Sequence, residues 1–170
     1  LGVALLNTQN GYGFLPSVIF GVTGGVAEAV IRECAKDKTT AYIKEMREVG
    51  VRGKKSLKEA VINVDGREVR IAVVHGLKAA EDLIVSMNQG EAYYDIVEVM
   101  ACPEGCIGGA GQPFALRPRR DKRAKALYRT DNDMSVKYSS KNPETVYVFD
   151  EVIKDRNHEM LHVHYHRNEK

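Results

Sequence analysis

The arrangement of apolar and polar positions divides the chain into short elements. Two strand-like runs, Glu59 to Val64 and Glu68 to His75, flank Asp65-Gly66, a dipeptide that favours a tight hairpin turn. Leu77, Ala80, Leu83, Ile84 and Met87 then recur at helical spacing and predict a helix from Leu77 to Asn88, with Gly90 as terminator. Tyr94 to Met100 is a third strand. A strand–helix–strand order with a short apolar strand predicts a parallel βαβ unit. Chemistry in such units gathers where the strands end at their carboxyl side. The segment after Met100 lies there.

On either side the pattern is less regular. Val18-Ile19-Phe20 reads as a short buried strand or extended segment, followed by a flexible turn, Gly21-Val22-Thr23-Gly24-Gly25. Thr23 is expected to cap a helix carrying Val26, Ala29, Val30 and Cys34 on one side. On that face Cys34 reads as a small structural hydrophobe. Ala41 to Val49 is expected to add a short helix. After Pro118 comes a basic amphipathic stretch, Arg119 to Arg129. A helix is predicted from Pro143 to about Lys154, with Asn142 as its cap. The tail from Asn157 to Lys170 is rich in histidine.

Composition narrows the class without naming a function. The 170 residues are 44% hydrophobic and 28% charged, which fits a folded domain and excludes a disordered tail, a collagen-like fibre or a coiled-coil rod. No run of about 18 apolar residues is present, so no membrane-spanning helix is expected. The net charge of +2 is too balanced to argue for nucleic acid. With no secretory signal apparent, the expected location is cytoplasmic. The first residue is Leu1 rather than Met, so a fragment or a processed product is expected.

The candidate chemistry lies in one glycine-rich loop. Cys102 and Cys106 sit four residues apart within Met100-Ala101-Cys102-Pro103-Glu104-Gly105-Cys106-Ile107-Gly108-Gly109-Ala110-Gly111-Gln112-Pro113. Thiolates are soft ligands that select iron–sulfur clusters, zinc or copper. Glycines let backbone approach a bulky inorganic group and leave N–H groups free for cluster sulfides. Zinc usually takes two separate cysteine pairs, and there is no second pair. A C-x3-C-x2-C loop is excluded, because position 109 is Gly. A four-iron cluster takes four thiolates. The loop offers two, and the chain's remaining cysteine is Cys34. Either Cys34 joins, or ligands come from sequence outside this chain. The bland alternative is a glycine-rich turn with two incidental thiols.

Three stretches resemble the C-terminal half of the catalytic domain of iron-only ([FeFe]) hydrogenases. Ile19 to Ala29 (IFGVTGGVAEA) resembles FGxTGGVMEA. Tyr94 to Pro113 (YDIVEVMACPEGCIGGAGQP) resembles the third cluster-binding signature, EVMACPGGCxxGGGQP. Ala126 to His164 resembles the closing region, which wraps the catalytic domain or forms a small subunit. Ile71 to Gly90 resembles the family's strand and GLxNA helix. The resemblance implies a cofactor, the H-cluster, made of a four-iron ([4Fe-4S]) cubane joined to a two-iron subsite with CO and cyanide ligands. It implies that Cys102 ligates the cubane and that Cys106 bridges cubane and two-iron subsite. Met100 would pack beside that subsite, and Thr23, Gly24 and Gly25 would lie against the cluster pocket.

The departures from the family pattern are Glu104 and Ala110, each in place of Gly, and Ala27 in place of Met. The first two family signatures, TSCCPxW and MPCxxKxxE, are absent. They carry the other two cubane cysteines, the proton-relay cysteine and a cyanide-holding lysine. The expected partner is therefore the N-terminal portion of a hydrogenase or a separate subunit. The expected electron partner is a ferredoxin-like or NAD(P)-linked carrier.

Two other signals compete. His158-Glu159-Met160-Leu161-His162 fits the zinc-protease spacing H-E-x-x-H, with Glu159 as base. Only eight residues follow His162, which leaves little room for a third ligand. Arg117 to Lys125 holds six basic residues and one acidic residue. Such a run is most often a solvated face, or it could meet an acidic electron carrier. Aromatic interleaving is absent, which argues against nucleic acid.

The sequence thus predicts an α/β fold: a parallel-sheet βαβ lobe with flanking helices over residues 1–116, and a helical, small-subunit-like tail over 117–170. The expected function is part of an [FeFe] hydrogenase, an oxidoreductase interconverting protons and H2. The alternatives are a non-catalytic iron–sulfur module for sensing or assembly, and a zinc hydrolase.

Overall fold

The computed structural model describes residues 16–35, 51–53, 55–114 and 116–161. The expected helix from Ala41 to Val49 lies outside them. So does His162.

The hairpin forms as the sequence indicates. Strands β1 (Leu57–Val64) and β2 (Arg67–His75) pair antiparallel around Asp65-Gly66, with Val64 opposite Arg67. Both turn residues take positive φ, 52° and 87°, as a mirror-image hairpin turn requires. Helix α1 (Gly25–Cys34) precedes the hairpin, and α2 (Leu77–Asn88) follows it. From α2 the chain enters β3 (Ile96–Met100), which pairs parallel to β2 with His75 opposite Met100. The sheet is therefore mixed, in the order β1-β2-β3, and contains the expected βαβ unit. Helix α3 (Arg117–Asp133) is longer than the basic stretch suggested.

Period-2 alternation separates the two faces of the sheet. On one, Ile71, Val73, Ala60 and Ile62 pack against Ala27, Ile31 and Val51. On the other, Ala72 and Val74 pack against Ala80 and Leu83 of α2. Leu77 and Ile84, expected on the buried stripe of α2, are 70% and 54% exposed.

Three local expectations are corrected. Val18-Ile19-Phe20 lies in a 3-10 turn, Pro16–Gly21, rather than a strand. Its tight turns aim Ile19 inward with no exposure, while Phe20 stays half-buried. In α1 the buried side is Gly25, Ala27, Glu28, Ile31 and Arg32, so Val30 and Cys34 are on the exposed side. The apolar stripe misled because Glu28 and Arg32 are buried as charges satisfied by each other. Finally, the helix after Asn142 runs only over Pro143–Tyr147 (α4) before widening into a π-helical turn, Val148–Ile153. Asn142 is the cap, and its side-chain oxygen accepts the N–H groups of Glu144 and Thr145 at 2.9 and 3.1 Å. A 3-10 turn, Lys154–Arg156, leads to the short helix α5 (Asn157–Leu161).

Candidate cluster-binding loop

The cysteine loop emerges from the carboxyl end of β3, beside the end of β2. Gly76 N–H donates to the Met100 carbonyl at 2.8 Å and marks that edge. The loop folds on itself through Gly105 N–H to the Cys102 carbonyl and Gly109 N–H to the Cys106 carbonyl, both at 3.0 Å. Cys102 is half-buried, Cys106 is exposed, and both thiols are free. A Cβ added to Gly109 would sit 3.5 Å from Cys102 Sγ and 3.6 Å from Cys106 Cα, so that sulfur lies close to the second cysteine's backbone.

The turn at 21–25 presses on the same loop. Thr23 N–H donates to the Glu104 carbonyl at 3.2 Å. Gly105 has φ 91°, and a Cβ there would lie 2.8 Å from the Gly21 carbonyl oxygen and 3.0 Å from Met100 Sδ. No side chain fits between them. Thr23 and Met100 thus lie against the cysteine loop, whereas Gly24 packs on Val51 and Gly25 on Ile19. Thr23 does not cap α1, however. Gly24 occupies the cap position at φ 93°, and no side chain of its own caps the helix.

That duty falls to a residue the sequence reading missed. Glu98 of β3 is 7% exposed, and its carboxylate accepts Gly24 N–H at 2.6 Å and Ala27 N–H at 2.8 Å. A carboxylate at a helix N-terminus meets orphan N–H groups and the positive end of the dipole. Lys58 of β1, also 7% exposed, was missed as well. Its ammonium donates to the Thr23 carbonyl and hydroxyl oxygens at 3.1 and 3.2 Å. Lys58 and Glu98 both pair with Val73 across the sheet, so all three share one row on the α1 side. A signal existed: each is the polar member of an inward-facing alternation, Lys58 with Ala60 and Ile62, Glu98 with Ile96 and Met100.

Glu104, where the resembled signature has glycine, takes a left-handed backbone that favours glycine, with φ 66°. The cost is of order 1 kcal/mol. Its carboxylate is buried, 3.8 Å from the Arg120 guanidinium of α3. Arg123 donates to the carbonyls of Ile107 and Pro113 at 2.8 and 2.7 Å. Two members of the basic run thus serve the loop, whereas Arg119, Lys122 and Lys125 remain exposed.

Helix α3 is held in turn by a buried charge network. Arg32 meets Asp131 through two hydrogen bonds, at 2.8 and 2.9 Å, and also meets Glu28. Arg52 donates to Glu28 at 2.7 Å and stacks 3.9 Å over the Tyr128 ring. Burial opposes the charge on Glu28, but the hydrogen bond from Arg52 and the nearby Arg32 outweigh it and hold its carboxyl below the ordinary range. Burial pushes the Tyr128 hydroxyl up to about 12.

Two hollows adjoin the loop. One, of about 300 Å³, lies between Thr23, Glu104, Ile107 and Tyr128. The other, of about 290 Å³, lies along Gly108, Gly109, Arg120 and Arg123. Neither is lined by Cys102 or Cys106. The donor set fits a sulfur-ligated group in part: two accessible thiols on one glycine-lined loop, half of what a four-iron cluster takes. Cys34 does not complete it. It sits at the far end of α1, about 13 Å along the axis from Gly25 at 1.5 Å per residue. Among the described residues no group of three His, Cys, Asp or Glu side chains could hold a metal ion. His158 is exposed on the five-residue α5, and its proposed zinc partner His162 lies outside the described residues.

The comparisons with known proteins agree with this arrangement. Residues 7–110 match the family described as iron only hydrogenase large subunit, C-terminal domain, and residues 117–168 match the iron hydrogenase small subunit. The chain belongs to the iron-only hydrogenase family, as a C-terminal part of its large-subunit domain. Among individual proteins, it is 37% identical over 158 residues to an NADP-reducing hydrogenase subunit of Solidesulfovibrio fructosivorans, covering 89% of this chain and 27% of that one. It is 42% identical over 97 residues to the periplasmic [Fe] hydrogenase large subunit of Nitratidesulfovibrio vulgaris, covering 57% of this chain and 23% of that one. A cytosolic Fe-S cluster assembly factor of Danio rerio is 27% identical over 157 residues, covering 87% of this chain and 37% of that one. A variant of the [FeFe]-hydrogenase of Chlamydomonas reinhardtii superposes with a TM-score of 0.64 at 31% identity, covering 86% of this chain and 45% of that one. The chain thus spans about a quarter of the hydrogenase sequences it matches, and iron–sulfur chemistry is the family's general theme. No helix among the described residues is long and apolar enough to cross a membrane.

Proposed function

We propose that this chain is the cysteine-loop half of an [FeFe] hydrogenase site, acting in the interconversion of protons, electrons and H2. The observation that carries the reading is the pair of free thiols at Cys102 and Cys106 on a loop locked against the Thr23-Gly24-Gly25 turn. In this reading Cys102 and Cys106 would each hold the H-cluster through a thiolate, Cys102 on its [4Fe-4S] part and Cys106 toward its two-iron part. Met100 forms a soft, adaptable wall beside them. Thr23, Gly24 and Gly25 close the pocket with backbone. When bound, the H-cluster supplies the redox chemistry and the site of H–H bond formation; the protein holds, orients and shields it. Arg123 ties the loop to α3 through two carbonyls, so the position of the thiols depends on that helix.

The remaining cubane ligands come from another segment or subunit. Electrons come from a ferredoxin-like or NAD(P)-linked carrier, with exposed Arg119, Lys122 and Lys125 suited to an acidic one. The division at 116/117 and a cytoplasmic location belong to the same proposal.

Two observations favour a second reading, a non-catalytic cluster module. The likeness to the assembly factor runs along 87% of this chain, and Glu104 places a carboxylate in the middle of the loop. Iron and sulfide analysis of the matured protein with infrared spectroscopy separates the two. Iron with CO and cyanide bands supports the hydrogenase site. Iron and sulfide without those bands supports the module. Zinc alone rejects both.

A further inference from the structure

Lys58 is a buried lysine whose ammonium points at the turn rather than at a carboxylate. Its hydrogen-bond acceptors are the Thr23 carbonyl at 3.1 Å, the Thr23 hydroxyl at 3.2 Å and the Gly53 carbonyl at 3.4 Å. A surface lysine would be solvated, and a core position of this kind would ordinarily be apolar, like its strand neighbours Ala60 and Ile62. Burying an ammonium is costly unless hydrogen bonds satisfy it, and here they come from the turn.

What it fixes is adjacent to the cysteines. Thr23 takes the lysine on its carbonyl and hydroxyl, and its own N–H holds the Glu104 carbonyl. Glu104 and Gly105 are the two residues before Cys106. From β3, on the other side of β2, Glu98 takes the next N–H, that of Gly24. Lysine on one side and glutamate on the other therefore clamp opposite polarities of the same turn. The turn in turn backs the segment between the two thiols, at a place where even a Cβ on Gly105 would collide.

We propose that Lys58 is a positioning residue of the cluster loop, acting through Thr23 to hold the Glu104-Gly105 backbone and thereby the spacing of Cys102 and Cys106. The proposal rests on the reading of those cysteines as cluster ligands, but its first readout does not. Removing the ammonium leaves the Thr23 carbonyl and hydroxyl buried without their donor. The loop then opens locally more often, and the cysteine pair is no longer presented at one spacing.

The test compares the wild-type chain with Lys58→Met and Lys58→Arg. Amide hydrogen exchange is followed at Thr23 and Gly105, with β1–β2 hairpin amides as internal reference. Lys58→Met is expected to speed exchange at Thr23 and Gly105 by about tenfold relative to the hairpin, the effect of losing roughly one hydrogen bond's worth of local stability. Lys58→Arg, which can still donate to Thr23, is expected to restore most of the protection. Iron retained after anaerobic reconstitution should fall in Lys58→Met and recover in Lys58→Arg. Unchanged exchange at Thr23 in folded Lys58→Met overturns the proposal, as does an arginine variant no better than methionine. If Lys58→Met does not fold, Thr23→Val decides. It removes the hydroxyl acceptor alone and should speed exchange at Gly105 by about threefold, and no change there overturns the proposal. A wild-type chain that takes up no iron removes the cluster reading, and exchange alone then judges Lys58.

Discussion

Helix α1 is held at its two ends by opposite kinds of contact. At the N-terminal end the contacts are to backbone. Glu98 takes two N–H groups, and Gly25 packs so closely that a Cβ would meet the Ile19 carbonyl oxygen at 1.8 Å. At the C-terminal end they are charge to charge, with Arg32 of the last turn reaching Asp131 and, back along the helix, Glu28 of the first turn. The first arrangement pins main-chain atoms directly and suits the end that abuts the cysteine loop. The second secures a neighbouring helix, α3, whose Arg120 and Arg123 then reach back to that loop. Positioning of the thiols therefore depends on both ends, but by different routes.

Breaking the charged end should cost most. Arg32→Met leaves Asp131 buried without its two-hydrogen-bond partner and Glu28 with Arg52 alone. Urea denaturation is expected to show a loss of about 4 kcal/mol, since a buried ion network broken on one side leaves uncompensated charge. A loss below about 1 kcal/mol would show that α3 is secured by other contacts.

The backbone-held end is sharpened by pH. Burial lowers the Lys58 ammonium from 10.5 to about 8, and Glu98 beside it recovers only part of that loss. Below pH 8 the folded chain bears the full cost of the buried charge. Between pH 8 and 10.5 the unfolded chain keeps a proton that the folded chain has shed, so this group makes stability rise with pH. The rise is at most about 3 kcal/mol, at 1.36 kcal/mol per pH unit. Tyr128, pushed up by burial to about 12, works the other way, but only above pH 10. Denaturation between pH 8 and 10 should therefore show an upward slope that Lys58→Met abolishes, and an identical slope in the variant would contradict the assignment.

A smaller effect is expected from Glu98→Gln. The amide oxygen can still accept one N–H of α1, but the charge at the helix end is lost. About 1–2 kcal/mol should disappear from the melting transition, with exchange quickening at Gly24 and Ala27 more than at Ala35. Equal quickening at both ends of α1 would argue that Glu98 acts on the whole helix rather than on its first turn.

How far the sequence disclosed this depends on which physical force places each residue. The hairpin was legible because Asp65-Gly66 specifies a turn with positive φ. The βαβ unit was legible because a helix-spaced stripe lies between two short strands. The cysteine loop was legible from its composition and from the family signature around it. The buried face of α1 was not, because Glu28 and Arg32 become interior residues only when Asp131, about a hundred positions away, arrives to neutralise them. The cap of α1 is not legible either: Thr23 is the capping residue type beside the helix start, whereas the acceptor comes from Glu98 on β3. Lys58 and Glu98 stood out only as polar members of inward-facing alternations, and that sign has meaning once the strand order is known. Two arginines of the basic run, Arg120 and Arg123, were indistinguishable in sequence from their exposed neighbours, since only the turn of α3 decides which face the loop.

The central claim is that Cys102 and Cys106, without Cys34, form one half of an iron–sulfur ligand set. The direct measurement is iron and sulfide per chain after anaerobic reconstitution with a small thiol able to fill the remaining iron positions. The proteins compared are the wild type and the Cys34→Ser, Cys102→Ser and Cys106→Ser variants. Wild type and Cys34→Ser are expected to hold equal iron and sulfide, and each of the other two to lose most of it. A wild type without iron, or a Cys106→Ser chain as well loaded as the wild type, would contradict the account.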